Sequence, residues 1–531
     1  MNKKIIFILI CISLLSFFIN TYKKNATPAC FTTDEAADGY NAYSLLKTGR
    51  DEYGTVLPLR LKSFGDYKMP LYSYLSIPFI AIGGLNETST RALNTFIAVL
   101  FPFVIFGLSY QFLKNRLSAI VTALLFSLSP GIQMIGRQAH EAYLTTFFIC
   151  LSIFLLFLLK EKKRIIYAIL FLISLIPLSF GYQFSRLWLG FITLVIFFFA
   201  IKKYVSWKFF VLYIALFFFL LVPDIIIRPA RVNNLLFFNN IGLGLQTAEL
   251  RSEGGTRMIY NKATVGLKNF LFSHLTYFSP QFLVIQGDDN KRFGYEGISP
   301  ITLVEYIFIF IGIYYLFRDR QKFRFILIAL FFISPLSGSF SWAGYSITRS
   351  LPMFIFIYVI SAYGFVRLVQ SFNEASFRRL IVLGLIATYG IFSFYSLDFY
   401  FNHYPKRAQT IRAWQCGNRE MAQLVKENYQ KTDIFYITKK NGQPYIFLLF
   451  YLGYDPLRYQ KQAQLSKLDE FGFGQVEKFD KFNFAFSLDN QKQRAIYIGY
   501  PDDFAGHQFQ RDRIKKITVP PEEIFWVYMK D

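Results

Sequence analysis

The chain has 531 residues, of which 54% are hydrophobic and 20% aromatic against 17% charged, and its mean hydropathy is +0.34. That balance excludes an ordinary water-soluble fold, and the formal net charge of +23 does not point to nucleic acid, because the basic residues fall between apolar runs rather than in a block. Four cysteines, Cys11, Cys30, Cys150 and Cys416, lack ligand spacing, so neither a metal cluster nor a disulfide framework has support, while a single Cys30–Cys416 bridge stays open.

In chain order, apolar runs bounded by charge lie near 5–19, 92–113, 117–135, 142–159, 165–184, 187–201, 209–227, 301–317, 325–343, 351–366 and 380–399. They predict an α-helical polytopic membrane protein with about eleven transmembrane helices. The first run follows Lys3-Lys4, and with no A-x-A site before Cys30 a retained anchor is expected rather than a cleaved signal peptide. Residues 69–85 are apolar enough to cross, yet a crossing there would turn every later basic cluster outward. With Pro70, Pro78 and Gly83-Gly84 they read instead as an interfacial or re-entrant segment.

Short basic clusters occupy alternate connections, near 114–116, 160–164, 202–208, 318–324 and 367–379. The positive-inside rule puts these and the N-terminus in the cytoplasm, and segments 20–91, 228–300 and 400–531 outside. Arg91, Arg231, Arg257, Lys291 and Arg292 in the long outside segments suggest an anionic ligand on that face. The tail alternates a helical stretch, about 408–428, with strand-like runs at 433–438, 495–499 and 524–528. The division expected is therefore a membrane domain, 1–404, and a small soluble extracytoplasmic α/β domain, 405–531. No internal repeat is present, which argues against an inverted-repeat transporter.

Ionisable residues cluster where the outside segments meet the membrane. Asp34-Glu35 lie about a dozen residues past the first run, and Asp66, Lys68 and Arg91 follow in the same segment. Cations flanking an acidic pair suit a reaction in which an anion leaves while a hydroxyl loses a proton; solvated loop charge is the plainer account. Arg137, Gln138, Ala139, His140 and Glu141 form a dense cluster between two apolar runs, either functional or a helix-terminal Arg–Glu pair with a satisfied histidine. Arg349 opens a later run, as a snorkelling anchor or as a bidentate phosphate ligand. The stretch 292–300, with Tyr295 and Glu296 between glycines and ending in Pro300, reads as an ordered loop.

These features resemble the GT-C class of membrane glycosyltransferases, in particular the group holding the protein O-mannosyltransferases and the aminoarabinose transferase of lipid A. The resemblance covers the order of elements over the membrane region and rests on Asp34-Glu35, the Asp66/Lys68/Pro70 to Arg91 stretch, Arg137 to Glu141, and the 292–300 and Arg349 patches. It implies Asp34 as catalytic base, Glu35 or Glu141 as assisting acid, and Lys68, Arg137 and Arg349 as partners of a carrier phosphate, with Asp66, Arg91, His140, Tyr295 and Glu296 in the substrate site. The chain departs from the family pattern in having Lys68-Met69-Pro70 where the family has lysine directly before proline, and Glu141 where it has aspartate. The reaction implied is inverting transfer of a sugar from a polyprenyl-phosphate donor, at the extracytoplasmic face, to a hydroxyl on protein, polysaccharide or lipid. No residue pattern demands a cofactor, and GT-C relatives differ in using a divalent cation. A flippase for a lipid-linked saccharide is the rival reading, but it calls for ionisable groups at the bilayer midplane, and Asp224 and Glu305 lie close to span ends.

Overall fold

A computed structural model describes residues 2–226, 236–342, 344–440, 442–467, 474, 476–488, 494–507, 509 and 511–530; Arg231 and the last residue of the 209–227 run lie outside them. The chain divides into two compact units, one of residues 1–22 and 94–400, the other of residues 23–93 and 401–531.

The first unit is helical, as its apolar runs require: backbone amides without water must bond within the segment. Among the described residues five helices are long and apolar enough to cross a membrane, namely Lys3–Thr21, Glu87–Leu113, Glu141–Lys162, Ile347–Ser371 and Ala375–Lys406. A sixth is a bent pair, Arg116–Leu128 with Pro130–Gly136, turned by 66°. Further apolar helices of 10–17 residues include Ile165–Phe180, Ser185–Ile201, Trp207–Pro223 and Arg324–Ser339. This is a multi-pass membrane architecture, but the count of eleven is not confirmed, because the shorter helices fall below the ~20 residues a full crossing takes.

The bend has a local cause. Pro130 lacks an amide hydrogen and forces Ser129 out of the helical region, to φ −67° and ψ 111°. The freed Ser129 hydroxyl donates to the Pro300 carbonyl at 2.7 Å, and Tyr358 donates to the same oxygen at 2.9 Å. Helix Leu303–Arg318 crosses Ile347–Ser371 at paired glycines. A Cβ on Gly312 would meet the Ile360 carbonyl oxygen at 2.1 Å, and one on Gly364 the Gly312 amide nitrogen at 2.6 Å. Small residues there let two backbones approach, the usual source of helix association in lipid. Helix Ala375–Asp398 does the opposite: it buries only Ser393 and exposes Leu380, Leu383, Ile391 and Phe394, an apolar surface that only lipid or another apolar partner covers well.

In the second unit the expected 408–428 helix breaks at Gly417, whose φ is +93°, into Ala408–Ala413 and Asn418–Asn428. The three strand-like runs are strands, Ile434–Ile437, Ala495–Gly499 and Glu522–Lys530. They enter a seven-stranded sheet ordered Gln464–Leu465, Val476–Phe479, Phe482–Asn483, Ile434–Ile437, Ala495–Gly499, Glu522–Lys530, Ile514–Val519. Ile434–Ile437 runs parallel to both its neighbours and the other pairs are antiparallel. Residues 23–93 pack into this unit with a helix, Thr33–Thr48, a hairpin of Leu61–Ser63 and Asp66–Lys68, and a helix over the 69–85 run, Leu71–Gly83. The bridge left open by the cysteine count is present, joining Cys30 to Cys416 with 5.4 Å between their Cα atoms.

Candidate active site

Helix Thr33–Thr48 starts from a capping box. The Thr32 hydroxyl accepts from the Glu35 amide at 3.3 Å, and the Glu35 carboxylate accepts from the Thr32 amide at 3.2 Å. Asp34 therefore stands in the first turn of a helix. Ala36, Ala37, Gly39 and Ala42 are buried along it, and a Cβ on Gly39 would meet the Thr90 hydroxyl at 2.6 Å and the Phe450 ring at 2.7 Å. The close approach holds the helix in place within its unit.

One helical turn past Asp34 comes Asp38, and Lys68 reaches both from the hairpin. Its ammonium lies 3.6 Å from Asp34 Oδ1 and 3.5 Å from Asp38 Oδ2, and donates to the Asp34 carbonyl at 3.3 Å. Asp38 is buried and also accepts from the Ser73 hydroxyl at 3.1 Å, whereas the Asp34 side chain is 49% exposed. The pair is thus asymmetric, with one carboxylate open to an incoming molecule and one held inside. Asp66 begins the strand that carries Lys68, and its side chain is outside the described part.

Glu35, beside Asp34 in sequence, points the other way. Arg91 donates to its two oxygens at 2.7 and 2.8 Å and to the Cys30 carbonyl at 2.6 Å, all in a buried setting. Deeper in the same unit Glu52 is fully buried, accepting from the Tyr445 hydroxyl at 3.0 Å and Asn41 Nδ2 at 3.3 Å. Burial pushes its pKa up to about 8, against the lowering pull of the Tyr445 hydrogen bond, Lys68 and Asn41.

The other candidates lie in the first unit. Arg137 is fully buried and donates to the carbonyls of Ile19 and Tyr22, the latter at 2.7 Å, so its cation sits on the C-terminal end of helix Lys3–Thr21. His140 caps helix Glu141–Lys162 by accepting from the Ala142 amide at 3.1 Å, and its ring packs edge-on to Phe293. The Glu141 carboxylate is 3.9 Å from His140 Nδ1. Gln138 donates to the Arg292 carbonyl at 3.0 Å, joining this cluster to the ordered loop. In that loop Tyr295 packs on Phe399 with Lys291 over its ring, and Glu296 is exposed. Arg349 is half-buried and donates to the Ser341 hydroxyl at 2.8 Å. Near it Asp288 accepts from the Ile347 amide at 2.7 Å; burial raises its pKa to about 6, and Arg349 is among the groups that oppose the rise.

Within the second unit, then, Asp34, Glu35, Lys68 and Arg91 come together, and within the first, Arg137, His140 and Glu141 are joined to the loop of Tyr295 and Glu296. Three acids were not singled out from sequence. Asp38 had a readable signal, four residues after Asp34 behind a T-x-x-E start; Glu52 and Asp288 had none, since their burial is a tertiary property. Among the described residues no three or more of His, Cys, Asp and Glu are grouped to hold a metal ion.

The fold, apolar helices in one unit and a mixed sheet in the other, is of the type found in solved GT-C structures. No protein-family model and no curated protein matches the sequence. Solved structures do. ArnT from Cupriavidus metallidurans bound to undecaprenyl phosphate aligns over 99% of this chain and 98% of its own, with a TM-score of 0.55 and 10% identity. Its apo state gives 98% and 97%, with a TM-score of 0.55 and 11% identity. The oligosaccharyltransferase of Archaeoglobus fulgidus in its apo form aligns over 85% of this chain, with a TM-score of 0.53 and 11% identity, and this chain spans 64% of its length. At such identities the likeness is one of fold.

Proposed function

We propose that this protein transfers a glycosyl group from a polyprenyl-phosphate-linked donor to an acceptor hydroxyl at the extracytoplasmic membrane face. The observation that carries the reading is the half-exposed Asp34 carboxylate in the first turn of its helix, with the Lys68 ammonium 3.6 Å away. The end-to-end match to a fold whose solved example is bound to undecaprenyl phosphate supports the donor class.

In this reading the acceptor oxygen attacks the anomeric carbon as its proton passes to Asp34, and the bond from that carbon to the phosphate oxygen breaks with its electron pair leaving on the lipid phosphate. Phosphate leaves readily, so the main demand on the protein is a cation where charge develops. Lys68 meets it by turning from Asp34 toward the phosphate, while buried Asp38 holds the ammonium in reach. Glu35, locked to Arg91, serves to hold the first turn rather than to move protons. We assign Arg349 separately as a ligand of the carrier phosphate, since it carries a delocalised cation in a half-buried position.

Transfer of label from a polyprenyl-phosphate sugar by the purified protein in nanodiscs, with mass spectrometry of lipid-linked glycans in cells with and without the gene to choose the sugar, tests the reading. Movement of the intact lipid-linked sugar without cleavage of its phosphate bond would overturn it in favour of a flippase.

A further inference from the structure

We infer that the start of the C-terminal tail is a positioning element for the proposed base, and that Gln415 is its key side chain. Three consecutive tail residues bear on the turn that presents Asp34, Gln415 directly and Trp414 and Cys416 through Arg91 and Cys30. Trp414 lies under the Arg91 guanidinium, 5.9 Å from its ring centroid, and Arg91 in turn grips Glu35. Gln415 Oε1 accepts from both the Thr33 amide at 3.0 Å and the Thr33 hydroxyl at 3.1 Å. Cys416 is bonded to Cys30, two residues before the capping Thr32.

The first amides of a helix have no partner within it and are satisfied from outside. Here Thr32 takes the Glu35 amide and Gln415 takes the Thr33 amide, so the backbone on both sides of Asp34 is tied and the point from which its side chain leaves the helix is fixed. Gln415, at φ +51°, is the left-handed residue that ends helix Ala408–Ala413, with its amide on the Arg412 carbonyl and the Cys416 amide on the Ile411 carbonyl, both at 3.1 Å, and its own carbonyl accepts from the Asn418 side-chain amide at 2.8 Å. Glycine follows two residues on, at Gly417, where φ is +93°.

The inference rests on Asp34 being the base, and the test separates the two. Gln415→Leu, Gln415→Glu and Asp34→Asn are prepared in the full-length protein in nanodiscs, and kcat, donor KM, thermal midpoint and amide exchange over residues 30–38 are measured. Expected for Gln415→Leu are an unchanged midpoint and donor KM, faster exchange at Thr33 to Glu35, and a kcat lower by about tenfold to a hundredfold, the scale for a misplaced catalytic group. Gln415→Glu, which keeps an acceptor oxygen at the same reach, should restore most of the loss. Wild-type kcat in Gln415→Leu, equal losses in both Gln415 variants, or unchanged exchange would each overturn the inference. Wild-type turnover by Asp34→Asn would instead remove the base assignment, with the exchange result still deciding whether Gln415 orders the turn.

Discussion

Arg91 and Glu35, 56 residues apart in the chain, form a two-bond ion pair that is buried on both sides. Desolvating two charges is expensive, and the Cys30 carbonyl, the capping-box contacts and the Phe31 ring beneath the guanidinium offset part of that cost. Removing one partner leaves the other uncompensated. Arg91→Ala should therefore cost about 3–5 kcal/mol of stability, and replacing both, as Glu35→Leu with Arg91→Met, should cost less than the single change. Thermal midpoints in detergent check this; a double variant worse than the single one contradicts it.

Asp34→Asn keeps the side-chain shape and loses the base. Turnover should fall by about 10²–10⁴, the range for a positioned general base. Donor affinity, measured on the same preparation, should stay or tighten slightly as one negative charge near the lipid phosphate is removed. Turnover at the wild-type rate would shift attention to Glu141.

Glu52 makes stability depend on pH in a defined direction. Its folded pKa is pushed up to about 8, above the ordinary glutamate value of 4.5, so between the two the folded protein holds a proton that the unfolded chain has released. Stability is then fully present below about pH 4.5 and declines as pH rises toward 8, by on the order of a few kcal/mol in all. The thermal midpoint of Glu52→Gln, which keeps the neutral shape, should lose that slope between pH 6 and 8. A slope equal to wild type would mean that another group is responsible.

Arg349→Ala should weaken carrier binding by roughly 1.5–3 kcal/mol, the range for a hydrogen bond to a charged group. Titration with a fluorescent polyprenyl phosphate measures it. Unchanged affinity in a folded protein would leave Arg349 as an anchor at the helix start.

Topology is open to labelling. In a background lacking Cys11 and Cys150, new cysteines at Ser252 and Lys461 should react in intact cells with an impermeant thiol reagent, while one at Lys162 should not. Reaction at Lys162 would invert the arrangement and with it the side on which Asp34 lies.

Hydropathy and charge are properties of short windows, so sequence alone was enough to establish a helical membrane protein, the helices near most apolar runs, and three of the tail strands, Ile434–Ile437, Ala495–Gly499 and Glu522–Lys530. It also brought Asp34 and Lys68 into view as candidates, since cations near an acid pair are visible as residue types. What pairs with what was decided only by the tertiary structure. That Glu35 is locked to Arg91 while Asp34 faces Lys68 and Asp38 depends on which side of one helix each carboxylate leaves, and a capping box turns neighbours 34 and 35 in different directions. The Cys30–Cys416 bridge and the Gln415–Thr33 contact span 386 and 382 residues, distances at which no local pattern carries pairing information, because only the packing of the tail against the first loop brings those atoms within bonding reach.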